Sequence, residues 1–283
     1  FAFEHILPLQ MMVVNGGYPA SLLCRAAIVA WGISNKNSKA ILNFHSLVGN
    51  TPWYFRLPEY LVDLAVVRSC NRIVSVSKSC LYSLHGRRAF VGYKKLNLIY
   101  NGISDPLVTF RFGTESAQVA IAKRYCVMLA TYERHKGHEF LLEAFKEVMK
   151  DFPDARLRIC GYGRPTERKR VADLVRHWGL EENISLSDFV FDTTGLIANA
   201  TMVVVPSQAF ESFGLTIVEA MAIGIPVVTT DVGGMPEVLV DGSAGYICPR
   251  NDAVMFAAAM KKILGDQALA AELGRNGRKI YEA

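Results

Sequence analysis

The six cysteines of this sequence lack the spacing of a metal site or of a redox pair. They are scattered along the chain without a CxxC motif and without a His at ligand spacing. Most of them lie in apolar surroundings, where a free cysteine behaves as a small hydrophobic residue. We therefore expect reduced thiols in a cytoplasmic protein and no structural metal.

Long hydrophobic runs are also missing. No apolar stretch approaches the roughly 18 residues that suggest a membrane span, and LVDLAVV is short and followed at once by Arg68. The first residues, FAFEHILPLQ, have neither an initiator Met nor a basic region before a long apolar stretch, so no secretory signal is predicted. We expect a protein that is soluble or peripheral at the inner face of a membrane.

Acidic residues are scarce in the first part of the chain. Residues 1–105 hold eleven Lys and Arg against four Asp and Glu, whereas the rest holds twenty against twenty-two. This asymmetry indicates an anionic partner, either a phosphate-bearing ligand or an anionic membrane face. Ordinary solvated helix faces would explain it equally well. The basic residues are not interleaved with aromatic ones as in nucleic-acid-binding modules, so we expect no nucleic-acid partner.

The sequence does contain a regular alternation of short apolar runs and amphipathic stretches, which is typical of βα units around a parallel sheet. Its 283 residues reach the range of roughly 250 to 300 at which one core stops growing. We therefore predict an α/β protein of two doubly wound, Rossmann-like domains that face a cleft. The first domain is placed at 1–105 and the second at 106–283, with an aperiodic linker reaching about residue 123.

The two predicted domains differ in completeness. The first has four predicted strands, QMMVV, KAILNF, RIVSVS and LNLIY, with helices near 21–31, 57–69 and 78–87. A complete domain of this kind would have two or three more βα units, so we expect the first domain to be truncated at its start. The second has six predicted strands, YCVMLAT, ARLRIC, ISLSD, MVVVP, PVVTT and GYICP.

The segment MVVVPSQAFESFGLTIVEAMAIG has the clearest chemical pattern. A buried strand is followed by a loop and then by a helix whose first turn has no acidic residue. The free N–H groups of Gly214, Leu215 and Thr216, together with the helix dipole, form an anion site that suits a diphosphate. Glu219, about one turn further along, could accept hydrogen bonds from the vicinal hydroxyls of a ribose. Glu211 precedes the helix, on the side where a sugar beyond the diphosphate would lie.

Taken singly, Glu211 and Glu219 would be an ordinary loop carboxylate and an ordinary polar helix residue. Their setting, however, resembles the retaining, glycogen-synthase-like branch of GT-B glycosyltransferases, family GT4 (glycosyl transferase group 1). The motif of that family is P-S-x-x-E-x-F-G-x-x-x-x-E-A-x-A-x-G-x-P-V-V, and here the loop before Glu211 is one residue longer. The other matching residues are Pro206, Ser207, Phe213, Gly214, Ala220, Ala222, Gly224, Pro226, Val227 and Val228.

A second stretch, RHKGHEFLLEAF, resembles the K-G-x-x-x-L-x-x-A-F segment of the same family. The resemblance implies that Lys136 contacts the donor phosphates, whereas a lone Lys would usually be a solvated residue at a helix start. The family usually has an Arg five residues, or sometimes one residue, before this Lys. Thr131 and His135 occupy those places here, and Arg134 could supply the second cation instead.

Further resemblances are weaker. The stretch TTDVGGMPEVLVDGSAGYI is similar to the family's V-G-G-x-P-E segment and supports the fold only. Gly161-Tyr162-Gly163 is too short for a dinucleotide fingerprint, since the third glycine position is Thr166. By resemblance, Val190 borders the nucleotide base.

In the first domain, His45 follows an apolar strand, where a side chain faces the ligand in a doubly wound sheet. A lone His is more often structural, but the family has a similar His near the donor sugar. Asn15, Gly16 and Gly17 lie between a strand and a helix. They suit close backbone approach to a ligand and also an ordinary turn.

The resemblance implies transfer of a hexose, with retention, from a nucleotide diphosphate sugar to a hydroxyl acceptor such as a glycan, a lipid-linked sugar or a small molecule. Glu211, His45 and Lys136 are the catalytic candidates. Phe213 and Gly214 would hold the sugar beside Glu211. The sequence has no DxD motif, so neither a metal nor another cofactor is expected. Two alternatives are a non-catalytic sugar-nucleotide-binding subunit and a glycosidase that uses Glu211 and Glu219.

Overall fold

The computed structural model describes residues 10–35, 38–49, 51–109 and 124–283. The chain divides into two compact units. The first comprises the residues up to Asn101 together with Glu211–Phe213, and the second comprises 102–210 and 214–283. Most of the predicted linker, residues 110–123, lies outside the described residues.

The described part of the first unit has one parallel sheet, in which the strands lie in chain order. The strands are β1 Met12–Asn15, β2 Ala40–Phe44, β3 Cys70–Ser75 and β4 Leu96–Leu98. The helices are α1 Leu22–Ser34, α2 Arg56–Ser69 and α3 Lys78–Ser83, with 3₁₀ turns at Trp53–Phe55, Leu84–Gly86 and Arg88–Phe90. Each crossover moves to the next position in the same direction. Buried side chains from both layers, among them Ile28, Trp31, Phe44, Ile73 and Phe90, form the core.

The third predicted helix of this unit is shorter than expected. We expected it to reach residue 87, but α3 ends at Ser83 and the chain continues in 3₁₀ turns. Arg87 is thereby turned inward, and its guanidinium donates to the Asp63 carboxylate with Nε to Oδ2 at 2.8 Å. The helix is interrupted where this buried ion pair forms.

The second unit has a six-stranded parallel sheet in the order β10-β9-β8-β5-β6-β7. The strands are β5 Tyr125–Leu129, β6 Arg156–Cys160, β7 Ile184–Ser187, β8 Met202–Val205, β9 Val227–Thr230 and β10 Gly245–Cys248. The chain winds outward in one direction from β5 and then returns to the other side at β8. A crevice for ligands is expected outside the carboxyl ends of β5 and β8, where the strand order reverses.

Helices cover both faces of this sheet. They are α4 Pro106–Thr109, α5 His138–Asp151, α6 Pro165–His177, α7 Thr193–Ala198, α8 Leu215–Ile223, α9 Met235–Val238, α10 Ala253–Gly265 and α11 Gln267–Glu282. The last two begin at aspartate caps. Asp252 accepts from the Met255 N–H and Asp266 from the Leu269 N–H, each at 2.9 Å. Among the described residues, no helix is long and apolar enough to cross a bilayer.

Candidate functional site

The loops that follow β5 and β8 are joined at the strand-order reversal. Gly137 has φ +80°, and a Cβ at this residue would lie 1.9 Å from the carbonyl oxygen of Pro206. The Gln208 N–H donates to the His135 carbonyl at 2.8 Å. The His135 ring stacks on Phe210 with 4.1 Å between ring centroids. The K-G segment and the P-S segment, separated by about 70 residues of sequence, therefore form one side of the crevice together.

Lys136 is half-buried and ends the 3₁₀ turn Arg134–Lys136, directly before Gly137. Arg134, the candidate second cation, is more exposed than Lys136. Its side chain is 77% exposed and its Nη1 lies 3.6 Å from Oε1 of Glu139. Arg170 also binds that carboxylate, at 2.6 Å, so Arg134 shares its acidic partner. Thr131, at one usual arginine place, donates its hydroxyl to Glu133 at 2.9 Å.

The start of α8 has the features that the sequence predicted. Gly214, with φ +93°, is the residue before the helix, no side chain caps the first turn, and that turn has no acidic residue. Leu215 is exposed and Thr216 half-buried. Such a helix end presents N–H donors and a positive partial charge to an anion. Burial raises the pKa of Glu219, which lies one turn along the same helix.

Glu211 and Phe213 lie in the loop before α8, and both fall among the residues Glu211–Phe213 that group with the first unit. Phe213 is buried, and Glu211 is half-buried. The spacing of Glu211 and Glu219 along the chain is as the family resemblance requires.

The Gly161-Tyr162-Gly163 turn has a packing role. A Cβ on Gly161 would stand 1.8 Å from the carbonyl oxygen of Ala130, and one on Gly163 would stand 2.8 Å from Cβ of Tyr132. Tyr132 is fully buried and donates its hydroxyl to the Ser187 carbonyl at 2.8 Å. These contacts hold the loops after β5, β6 and β7 against each other.

Val190 is half-buried in the loop between β7 and α7. Its neighbour Phe191 is 97% exposed, and the rings of Phe189 and Phe191 meet edge to face at 5.4 Å. Sequence reasoning missed this aromatic pair as a candidate for stacking on a ligand. The F-V-F pattern directly after a strand would have been the signal for it.

In the first unit, the residues selected from the sequence come together at the carboxyl ends of β1 and β2. The His45 N–H donates to the Asn15 carbonyl at 3.0 Å. The Asn15 side chain is buried, and its Nδ2 has no hydrogen-bond partner within the described ranges. Gly16 faces open space, whereas a Cβ on Gly17 would lie 3.5 Å from the Leu47 carbonyl oxygen. A buried amide without a partner next to His45 is suited to a ligand's polar group.

No group of three or more His, Cys, Asp or Glu side chains suited to a metal ion occurs among the residues that the structure describes. The Cys126 thiol, buried in the core, has its pKa raised by burial to about 12, which disfavours the thiolate that would ligate a metal.

Comparison with known proteins identifies the family. A family model described as "Glycosyl transferases group 1" matches residues 114–280. N-acetyl-alpha-D-glucosaminyl L-malate synthase of Bacillus anthracis is 27% identical over 220 residues, which are 76% of this chain and 56% of that protein. Phosphatidyl-myo-inositol mannosyltransferase of Mycolicibacterium smegmatis is 37% identical over 152 residues, which are 52% of this chain and 38% of that protein. The chain thus spans about half the length of these relatives or less.

The fold is similar to that of solved glycosyltransferase structures. Anabaena Alr3699/HepE, solved in complex with UDP and glucose, superposes with a TM-score of 0.77 and 20% identity over 91% of this chain and 71% of the other. Together with the two parallel sheets, this similarity confirms the GT-B type of α/β fold that the sequence predicted.

Proposed function

The chain belongs to the glycosyl transferase group 1 family, and we propose that it transfers a hexose, with retention, from a nucleotide diphosphate sugar to a hydroxyl acceptor in glycoconjugate or polysaccharide synthesis. Retention is supported by the motif around Glu211 and Glu219. The two relatives are named for L-malate and for phosphatidyl-myo-inositol, so a small molecule and a lipid-linked compound are both compatible with the acceptor.

One observation carries this proposal. The contact of Gly137 with the Pro206 carbonyl brings the loop that holds Lys136 against the loop that leads into the uncapped start of α8. A cationic side chain and a helix N-terminus at one crevice are complementary to the two charges of a diphosphate. Glu219 lies one turn along α8, and in this proposal it accepts hydrogen bonds from the ribose attached to the diphosphate.

The chemistry follows from where charge develops. The bond between the anomeric carbon and the diphosphate oxygen breaks, so that the sugar becomes oxocarbenium-like and the leaving oxygen becomes negative. Lys136, with Arg134 as a second cation, and the N–H groups of Gly214, Leu215 and Thr216 stabilise the departing diphosphate. Glu211 and the backbone at Phe213 and Gly214 hold the sugar hydroxyls. The departing phosphate itself removes the acceptor proton as the new glycosidic bond forms on the same face.

The remaining candidates are proposed from the family resemblance. His45 is the candidate for contact with the donor sugar, Asn15, Gly16 and Gly17 allow close backbone approach to a ligand, and Val190 borders the base. The cations and the helix dipole replace a divalent ion, so we propose a reaction without metal or other cofactor. Activity that is lost on chelation and restored by Mn²⁺ would contradict metal independence.

The experiment starts from a thermal-shift panel of UDP, GDP and ADP sugars, because a ligand that binds the folded state raises Tm. The selected donor is then incubated with candidate hydroxyl acceptors, and glycoside formation is followed in wild type, Glu211→Ala and Lys136→Ala. We expect both variants to lose transfer, whereas Lys150→Ala, which removes a surface lysine paired with Glu147, retains it. Transfer at the wild-type rate in both site variants would exclude the mechanism. Tight donor binding without turnover would indicate a binding subunit, and hydrolysis of a simple glycoside without nucleotide would indicate a glycosidase.

A further inference from the structure

A cavity of about 940 Å³ lies within the first unit, at the carboxyl edge of its sheet. Its walls come from three segments: the loop after β2, the first two turns of α2, and the 3₁₀ turns that follow α3. The segments are fastened to one another, since the Val48 N–H donates to Ser83 Oγ at 3.1 Å and the Gly49 N–H to the Tyr18 carbonyl at 2.6 Å. Hydrogen bonds within this unit therefore hold the walls of the cavity in place.

A closed network of charges forms one wall. Asp63 accepts from the Tyr18 hydroxyl at 2.7 Å and from Arg87 Nε at 2.8 Å. Glu59 accepts from Arg25 at 2.8 Å and from Arg87 at 2.6 Å. Burial alone would raise the pKa of Glu59, but the hydrogen bonds from the two arginines outweigh it and lower that pKa. Both acids of the cavity are thus already paired with the buried arginines Arg25 and Arg87.

Two further arginines line the same cavity without such partners. Arg56 begins α2 and Arg88 follows Arg87, and both are exposed. Within the described ranges neither side chain forms an ion pair. Since Arg25 and Arg87 neutralise the two acids, Arg56 and Arg88 leave the cavity with an uncompensated positive charge.

Hydroxyl groups complete the lining. Thr51 accepts from Arg87 Nη1 at 2.7 Å, which leaves its own proton for a ligand, and Tyr60 also lines the cavity. Two guanidinium groups with neighbouring hydroxyls suit a tetrahedral or planar oxyanion, because the arginine fork donates two parallel hydrogen bonds to such a group.

We propose that this cavity binds an oxyanion, a phosphate or carboxylate, of the compound that accepts the sugar. The inference rests on the proposed transferase function and names the chemical class of its acceptor as an anionic hydroxyl compound. Arg56 and Arg88 hold the oxyanion, and the network of Arg87, Asp63 and Glu59 fixes the wall behind it.

The oxyanion has two possible sources. It belongs either to a soluble phosphate ester or to the headgroup of a lipid. Apolar side chains stand beside Arg56: Trp53 is 78% exposed, and Tyr54, Phe55 and Leu57 are exposed as well. Such residues favour a bilayer interface, so binding to lipid vesicles has to be measured as well.

Calorimetric titration of glycerol 3-phosphate, with glycerol as the neutral control, tests the soluble source. Each ligand is added to wild type, Arg56→Gln, Arg88→Gln and the double variant. Arg72→Gln is the matched control, because Arg72 is an exposed arginine of the same unit outside the cavity. Sedimentation with phosphatidylcholine vesicles, with or without phosphatidylglycerol, tests the lipid source on the same proteins.

We expect at least a tenfold loss of affinity for glycerol 3-phosphate, or for the anionic vesicles, in the double variant, with no change in Arg72→Gln. Whichever ligand shows this loss identifies the source. Equal binding of both ligands by wild type and the double variant would overturn the proposal, as would an equal loss of affinity in Arg72→Gln. Donor binding is measured separately, so failure of the transferase assignment shows as absent nucleotide-sugar binding with oxyanion binding intact.

Discussion

Gly137 lies so close to Pro206 that a Cβ on the glycine would stand 1.9 Å from the proline carbonyl oxygen. The glycine also has φ +80°, a conformation that costs other residues roughly 1 to 2 kcal/mol. The residue directly after Lys136 therefore needs both the absence of a Cβ and a positive φ. The loop after β5 can approach the loop after β8 only because this position has no side chain.

Replacing Gly137 by alanine should therefore destabilise the second unit. The matched control is Gly179→Ala, since Gly179 also has positive φ but a Cβ there meets nothing within 4 Å. We expect the control to lose roughly 1 to 2 kcal/mol from backbone strain alone and Gly137→Ala to lose considerably more, because the Pro206 loop must move. Denaturant unfolding measures both, and equal losses would show that the contact with Pro206 is unimportant.

His138 should make the second unit sensitive to acid. Its imidazole is fully buried and stacks on Tyr132 at 5.3 Å. Burial, reinforced by the charge of Arg170, lowers its pKa to about 4. In the unfolded chain a histidine titrates at about 6.5, so between these values the unfolded state binds the extra proton. Stability is then fully present above about pH 6.5 and is lost as the pH falls toward 4, by roughly 3 kcal/mol in total.

The measurement is the pH dependence of unfolding between pH 7 and 4.5. We expect wild type to lose more stability on acidification than His138→Gln, even if the variant is less stable at pH 7. Parallel pH profiles for the two proteins would show that this histidine is not the group that titrates.

Glu219 should release protons when the donor binds. Burial raises its pKa, and hydrogen bonds from ribose hydroxyls would stabilise its carboxylate and bring that pKa down. Calorimetry of donor binding at pH 5, in two buffers with different ionisation enthalpies, counts the protons released. We expect proton release in wild type and none from this group in Glu219→Gln. Equal proton release in both proteins would contradict hydrogen bonding between the ribose and the Glu219 carboxylate.

Asp105 and Arg278 form a fork that ties the start of the second unit to its last helix. Arg278 donates through Nη1 and Nη2 to the two Asp105 oxygens at 3.0 and 2.6 Å, and through Nη1 also to the Ala222 carbonyl near the end of α8 at 2.6 Å. The hydrogen bond from Arg278 is the main reason that the pKa of Asp105 is lowered. Its stabilising contribution is therefore present at neutral pH and lost as the pH falls through the lowered pKa.

A double-mutant cycle tests this fork. We expect Asp105→Asn and Arg278→Gln each to lower Tm. The double variant should be no less stable than Arg278→Gln alone, because both substitutions remove the same ion pair. Strictly additive shifts in Tm would mean that the two side chains do not depend on each other.

The sequence predicted the sheet of the second unit well because each buried strand is a short apolar run between amphipathic helices. It also predicted the uncapped start of α8, which is a local property of the residues from Gly214 onward. The helices α7 and α9 were missed because six and four residues are too few to show a helical period.

Tertiary relationships were beyond local reasoning. The contact between Gly137 and Pro206 depends on β5 pairing with β8, which no local pattern specifies. The same is true of Arg87, whose buried partner Asp63 lies 24 residues earlier, in α2. Roles carried by resemblance, such as those of His45 and Val190, stay predictions until they are tested.

The donor site is tested most directly by titrating the nucleotide diphosphate that the thermal-shift panel selects into wild type, Lys136→Ala and Lys150→Ala. A hydrogen bond to a charged group contributes roughly 1.5 to 3 kcal/mol, so a site formed by the loops after β5 and β8 predicts at least a tenfold weaker Kd for Lys136→Ala and an unchanged Kd for Lys150→Ala. The same Kd in all three proteins would contradict a diphosphate site at this crevice.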